Sequence, residues 1–192
     1  EGREPISAKL VADLLTVAGA DRVVSMDLHA GQIQGFFDKP VDHLTALPIL
    51  IECARTAGPV EDLVIVAPDA GGVKAAKRFS NRLECDLAFV NKMRPKGVAN
   101  EVVASNVIGN VAGKRCLLLD DMIDTGGTLV AAADLLVSEG ATEVWAMATH
   151  GLLSGPAVDR LKNSVIEKVV ITNTLPLPPE KQFDKIEVLS IA

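Results

Sequence analysis

The chain reads as an α/β protein built on a doubly wound, mainly parallel sheet. Short runs rich in Val, Ile and Leu alternate with segments of helical spacing, the pattern of strands joined by helices on both faces. Several runs end in acidic residues and glycines, the punctuation of strand-to-helix turns. A length of 192 residues with 48% hydrophobic content allows one good-sized domain and argues against disorder.

The elements follow in chain order. Ile6, Leu10, Val11, Leu14 and Leu15 recur at helical spacing and predict a helix over Pro5 to Val17, ended by Gly19. Arg22 to Met26 is a strand, Thr45 to Ala57 a helix that Gly58-Pro59 ends, and Asp62 to Ala67 a strand. Pro68-Asp69-Ala70-Gly71-Gly72 then turns into a basic helix with Lys74, Lys77 and Arg78. Asp86 to Val90 is a strand, and Asn91 to Asn100, basic with Pro95 and Gly97, is a loop without a period. Val102 to Val111 reads as a strand with a turn at Gly109-Asn110. Cys116 to Leu119 suits a strand buried on both faces, and Leu129 to Val137 an Ala- and Leu-rich helix. Thr142 to Thr149 is a strand ahead of a turn over His150 to Pro156, and Ala157 to Leu161 a short helix. Glu167 to Thr172 and Ile186 to Ile191 are the last strands, separated by a turn at Asn173 to Pro176. The sheet is expected to hold about six or seven strands.

Composition removes several function classes. A net charge of −6 argues against a general nucleic-acid binder. No apolar run approaches the roughly 20 residues of a membrane helix. Cys53, Cys85 and Cys116 lie scattered in apolar segments without close pairing, which fits reduced thiols in a cytoplasmic protein. Glu1-Gly2-Arg3-Glu4-Pro5 is no signal peptide and has no initiator Met, so the chain is expected to begin inside a longer protein.

Chemistry concentrates in Leu117 to Leu129, LLLDDMIDTGGTL. A strand ends, Asp120-Asp121 follow, and Asp124-Thr125-Gly126-Gly127-Thr128 opens a helix. The first amides of a helix are unpaired and its dipole is positive there, so a phosphate fits. Glycines allow close approach, threonine hydroxyls add donors, and the paired carboxylates suit ribose hydroxyls, directly or through magnesium. An ordinary turn with Asp and Thr caps explains Thr125 and Gly126, but not two adjacent carboxylates followed by a third. No Walker Gly-Lys-Ser/Thr follows, nor three spaced glycines of a dinucleotide site. The stretch resembles the phosphoribosyl-pyrophosphate motif shared by type I phosphoribosyltransferases and ribose-phosphate pyrophosphokinases.

A second stretch separates these relatives. Asp27 to Asp42 reads DLHAGQIQGFFDKPVD and matches the pyrophosphokinase pattern D-L-H-x-x-Q-I-Q-G-F-F-x-x-P-V-D, which phosphoribosyltransferases do not carry. The chain is therefore identified as resembling ribose-phosphate pyrophosphokinase over nearly its whole length. The resemblance implies a type I phosphoribosyltransferase-like fold. Residues 1–192 would be mostly the C-terminal half of a longer enzyme, with 1–40 the tail of a preceding domain. Most of that first domain, including the segment resembling the adenine pocket, and the last helix are missing from the family pattern.

The implied reaction transfers diphosphate from Mg-ATP to the 1-hydroxyl of ribose 5-phosphate, giving phosphoribosyl pyrophosphate and AMP. By the same resemblance, His29 and Asp69 would share a magnesium ion, with Asp27, Asp38 and Asp42 as weaker metal candidates. Lys92 and Arg94 would close over the transferred phosphates in a mobile loop. Asp120 would hold the ribose hydroxyls, and Asp124, Thr125, Gly126, Gly127 and Thr128 the 5-phosphate, with Asp121 either behind the direct ligands or linked to the metal. His150, in a T-H-G-x-x-S-G-P turn, is read as structural. Partners would be ATP and ribose 5-phosphate, with no nucleic acid or membrane, in a cytoplasmic hexamer whose nucleotide site lies between subunits. A phosphoribosyltransferase, or a non-catalytic relative that binds phosphoribosyl pyrophosphate, remains the alternative, and this stretch of chain alone is expected to bind sugar phosphate more readily than turn it over.

Overall fold

The structure is a computed structural model and describes residues 6–56, 58–92 and 105–192. The chain divides into two compact units, Glu1–Ala46 and Leu47–Ala192.

The first unit holds α1 (Ser7–Val17), β1 (Val23–Met26), a 3-10 turn at Gly31–Phe36 and β2 (Val41–Leu44). β1 and β2 pair in parallel, from Val23 opposite Val41 to Met26 opposite Leu44, as a sheet of two strands. β2 was not expected, because Val41-Asp42-His43-Leu44 has neither a long apolar run nor strict alternation. Arg22 forms a two-pronged bond with Asp42, Nε to Oδ2 at 2.6 Å and Nη2 to Oδ1 at 3.2 Å. The apolar spacing of α1 does make a helix, but only Ala12 is buried. Leu10, Val11 and Leu14 are more than half exposed, at 60%, 52% and 59%.

The second unit begins with α2 (Leu47–Thr56), β3 (Leu63–Ala67), α3 (Val73–Leu83), β4 (Asp86–Lys92) and β5 (Ser105–Ile108). It continues with β6 (Arg115–Ile123), α4 (Gly127–Ser138), β7 (Glu143–Gly151), α5 (Ala157–Lys162), β8 (Lys168–Thr172) and β9 (Ile186–Leu189). Seven strands form one sheet in the order β5-β4-β3-β6-β7-β8-β9. Every pairing is parallel except β4 with the edge strand β5. That antiparallel pairing carries β4 through Asn91 and Lys92, two residues past the predicted end of the strand. Residues 102–104 of the predicted following strand lie outside the described residues.

Helices cover both faces, as a doubly wound sheet requires. On one face Leu129, Ala132, Ala133 and Leu136 of α4 and Ala157 and Leu161 of α5 join Val64, Val66, Cys116, Leu118, Val144, Ala146 and Val169 in the core. Alternation turns Ile65, Leu117, Met147 and Val170 to the other face, where they are also buried. There α3 packs on β3, β4 and β6 and against α2. Each fully buried Leu or Ile contributes about 1.5–3 kcal/mol. Gly109 closes the predicted turn at φ +120°, and a Cβ there would meet the Ala88 Cβ at 2.7 Å.

At the start of β7, the indole N–H of Trp145 donates to Glu143 Oε1 at 2.6 Å. The Lys168 ammonium lies 4.6 Å from the centre of the indole ring and pairs with Glu187.

Candidate functional site

The order of the sheet reverses between β3 and β6. From β3 the chain moves outward to β4, and from β6 it moves the other way to β7 and β8. Two loops leave the carboxyl ends of these adjacent strands, at the switch point where open α/β sheets bind ligands.

The loop after β6 starts later than the sequence suggests. Asp120, Asp121 and Met122 stay within the strand, because β7 runs on to Gly151 and keeps the ladder intact: Asp120 lies opposite Ala148 and Met122 opposite His150. The Asp120 carboxylate is half-buried and accepts the Asp121 N–H at Oδ1, 2.9 Å away. Burial is the main cause that pushes its pKa up to about 7; the Asp121 side chain and the charge of Asp69 add to it.

Gly126 then takes a left-handed conformation, φ +71°, and α4 begins at Gly127, two residues earlier than predicted. No side chain caps this helix. Asp124, Thr125 and Thr128 are exposed around it. The predicted residues Asp124, Thr125, Gly126, Gly127 and Thr128 thus form one arc about an uncapped helix N-terminus. Its first amides need acceptors, and the helix dipole favours an anion.

The back of this arc is held by the next crossover. The Leu153 N–H donates to the Ile123 carbonyl at 3.0 Å and the Ser154 N–H to the Asp124 carbonyl at 2.9 Å. Arg160 Nη1 donates to the Thr125 carbonyl at 3.1 Å. Sequence reasoning missed these residues; the only signal was the turn pattern over His150 to Pro156. His150 itself bonds Thr174 Oγ1 through Nδ1 at 2.9 Å.

The loop after β3 uses its carboxylate differently. Asp69 Oδ1 accepts the N–H of Gly71 at 2.9 Å and of Gly72 at 3.2 Å. Its Oδ2 takes no hydrogen bond among the described residues, leaving a hard oxygen donor of the kind magnesium prefers. Among the described residues no group of three or more His, Cys, Asp or Glu side chains gathers into a protein-only cage. That donor set suits an ion held mostly by water and phosphate oxygens, which is how magnesium is usually bound.

In the first unit, His29 stands exposed in the loop after β1. Asp27 enters that loop with φ +40°, and its Oδ2 accepts the Ala46 N–H at 2.9 Å. His43 Nε2 accepts the Leu28 N–H at 2.9 Å, and its Nδ1 lies 3.1 Å from the Gln34 amide nitrogen. Asp42 is bound by Arg22, whose hydrogen bond holds its carboxyl below the usual range and ties the start of β1 to β2. Lys92 closes β4 through its backbone. Its side chain and the whole of Arg94 lie outside the described residues. The thiols of Cys53 and Cys116 are buried and free, and burial pushes Cys116 up to about 12.

Comparison with known proteins shows the family and the fold. The profile of the phosphoribosyl synthetase-associated domain matches residues 90–192. The chain is 58% identical over 191 residues to a ribose-phosphate pyrophosphokinase of Streptomyces avermitilis, covering 100% of this chain and 59% of that protein. It is 55% identical over 192 residues to one from Caldanaerobacter subterraneus subsp. tengcongensis, covering 100% of this chain and 60% of the relative. A crystal structure of phosphoribosylpyrophosphate synthetase from Mycobacterium smegmatis superposes with a TM-score of 0.91 at 50% identity, over 99% of this chain and 61% of that one. The chain therefore spans about three fifths of the length of the curated relatives it matches.

Proposed function

Because the chain belongs to the phosphoribosyl synthetase-associated domain family, we propose that the whole protein transfers diphosphate from Mg-ATP to the 1-hydroxyl of ribose 5-phosphate. The products are phosphoribosyl pyrophosphate and AMP. The observation that carries this reading is the uncapped start of α4 beside the half-buried carboxylates at the end of β6. It supplies backbone donors for the sugar's phosphate on one side and carboxylates for its hydroxyls on the other.

In this reading, the amides and hydroxyls of Asp124 to Thr128 hold the 5-phosphate. Asp120 orients the ribose hydroxyls, so the 1-oxygen faces the β-phosphorus in line. Asp69 through Oδ2, and His29 by the resemblance, are the side chains proposed to hold magnesium. When bound, the ion would neutralise charge on the diphosphate. Lys92 and Arg94 stabilise the transferring oxygens, a role that fits preformed positive charge at a developing anion. By the resemblance alone, the reading extends to a cytoplasmic enzyme that assembles as a hexamer.

The test is AMP release from Mg-ATP and ribose 5-phosphate by the whole protein, with Lys92→Ala alongside. Turnover should fall by orders of magnitude in the variant, roughly 100-fold or more, while sugar binding stays nearly intact. A protein that binds phosphoribosyl pyrophosphate but releases no AMP would instead be a transferase or a non-catalytic binder.

A further inference from the structure

The arc that faces the proposed 5-phosphate is shaped from behind. Three consecutive carbonyls, of Ile123, Asp124 and Thr125, are engaged by Leu153, Ser154 and Arg160. A trans peptide points its C=O and its N–H in opposite directions. Fixing those carbonyls toward the β7–α5 connection and α5 therefore aims the amides of Asp124, Thr125 and Gly126 the other way. The first two carbonyls are held by backbone donors. The third depends on one side chain.

Arg160 Nη1 lies 3.1 Å from the Thr125 carbonyl and 3.4 Å from where a Cβ on Gly127 would stand. The guanidinium thus sits against the peptide that joins Thr125 to Gly126, just before the left-handed residue. A cation on that carbonyl polarises the peptide and strengthens its N–H as a donor. Leu161, the next residue of α5, packs its Cγ 3.5 Å from where a Cβ on Gly126 would stand. α5 therefore approaches the loop closely enough to hold it.

We propose that Arg160 is a positioning residue for the sugar phosphate: it clamps the Thr125 carbonyl and so sets the Gly126 amide toward the 5-phosphate. This rests on the reading of the arc as the 5-phosphate site. Arg160 does not touch the ligand, so its loss should weaken the ground-state hold on the sugar and leave the phosphoryl transfer step alone.

The experiment measures calorimetric affinity for ribose 5-phosphate, and KM and kcat, in the whole protein. It compares wild type with Arg160→Ala, Arg160→Lys and Lys162→Ala. Lys162 is exposed on the same helix, so its loss removes the same charge without touching the loop. Arg160→Ala should raise Kd and KM for ribose 5-phosphate about fivefold to tenfold, the worth of one charge-assisted hydrogen bond at an exposed position. The kcat, the KM for ATP and the Tm should stay close to wild type, Arg160→Lys should recover part of the affinity, and Lys162→Ala should match wild type. An unchanged Kd in Arg160→Ala, or equal losses in Arg160→Ala and Lys162→Ala, overturns the inference. So does a loss that follows the Tm rather than the ligand. Wild-type protein that binds no ribose 5-phosphate defeats the underlying reading, a result distinct from wild type that binds and a variant that binds equally well.

Discussion

The loops after β3 and β6 share one design and use it in opposite ways. Each leaves a strand at the switch point, passes an aspartate and a glycine pair, and opens a helix. After β3, Asp69 folds back onto Gly71 and Gly72, and Gly72 keeps a right-handed conformation, φ −77°. The carboxylate takes donors that an incoming anion would otherwise use. After β6, Gly126 swings to φ +71°, no side chain caps α4, and the neighbouring crossover takes the loop's carbonyls instead. The first loop satisfies two of its own amides through one carboxylate oxygen. The second is held from outside and presents its amides. One loop suits a cation and the other an anion, although the two sequences read alike.

The largest expected effect that tests this contrast comes from Gly126→Ala. A side chain at φ +71° costs about 1–2 kcal/mol, and the loop cannot keep both its turn and its amide directions. Affinity for ribose 5-phosphate, measured by calorimetry, should drop roughly tenfold or more, with a fall in Tm. At φ −77° a Cβ on Gly72 meets the Ala67 Cβ at 3.6 Å and the Asp69 and Leu119 carbonyl oxygens at 3.8 Å, all ordinary contacts, so stability in Gly72→Ala should move within about 0.5 kcal/mol. Equal damage from the two substitutions would break the contrast.

Asp120 gives the next effect. Its carboxyl titrates near 7 in the folded chain against an ordinary value of 3.8, so between those values the folded state holds a proton that the unfolded state has lost. Stability therefore falls as pH rises from about 4 to 7. Removing the charge with Asp120→Asn should flatten that slope, gaining on the order of 2 kcal/mol over wild type at pH 8 and little at pH 4. Urea unfolding at both pH values measures it, and parallel profiles in the two proteins would show that the group is not the source. The smallest effect is Asp69→Ala, which leaves the Gly71 and Gly72 amides without their acceptor and should cost about 1 kcal/mol.

Much of the main sheet could be read from the sequence, because its central strands are continuous apolar runs such as Leu63-Val64-Ile65-Val66-Ala67. The errors have a common physical origin. Asp120 to Ile123 looked like a turn because carboxylates are poor strand formers, but pairing with β7 overrode propensity. β2 was invisible because four mixed residues carry no period. The exposed apolar stripe of α1 shows that helical spacing fixes the helix without saying what covers it. The candidate site was legible as a motif, since carboxylates, glycines and threonines lie side by side in the chain. Its support was not. Arg160 lies 35 residues from Thr125, and no local pattern announces that contact. The capture of two amides by Asp69 was equally hidden, because the same residues spell both an open loop and a closed one.

Trp145 stands at the amino end of β7, with Lys168 over its ring and Glu143 on its indole nitrogen. It is the only tryptophan of the chain. The tryptophan fluorescence of this stretch of chain is therefore a report on the β7–β8 seam, at the opposite end of the strand from the arc. Separation of that seam would take the Lys168 ammonium off the indole ring and shift its emission. A sugar phosphate settling at the far end should leave the signal dark, so emission follows unfolding while a separate readout follows binding.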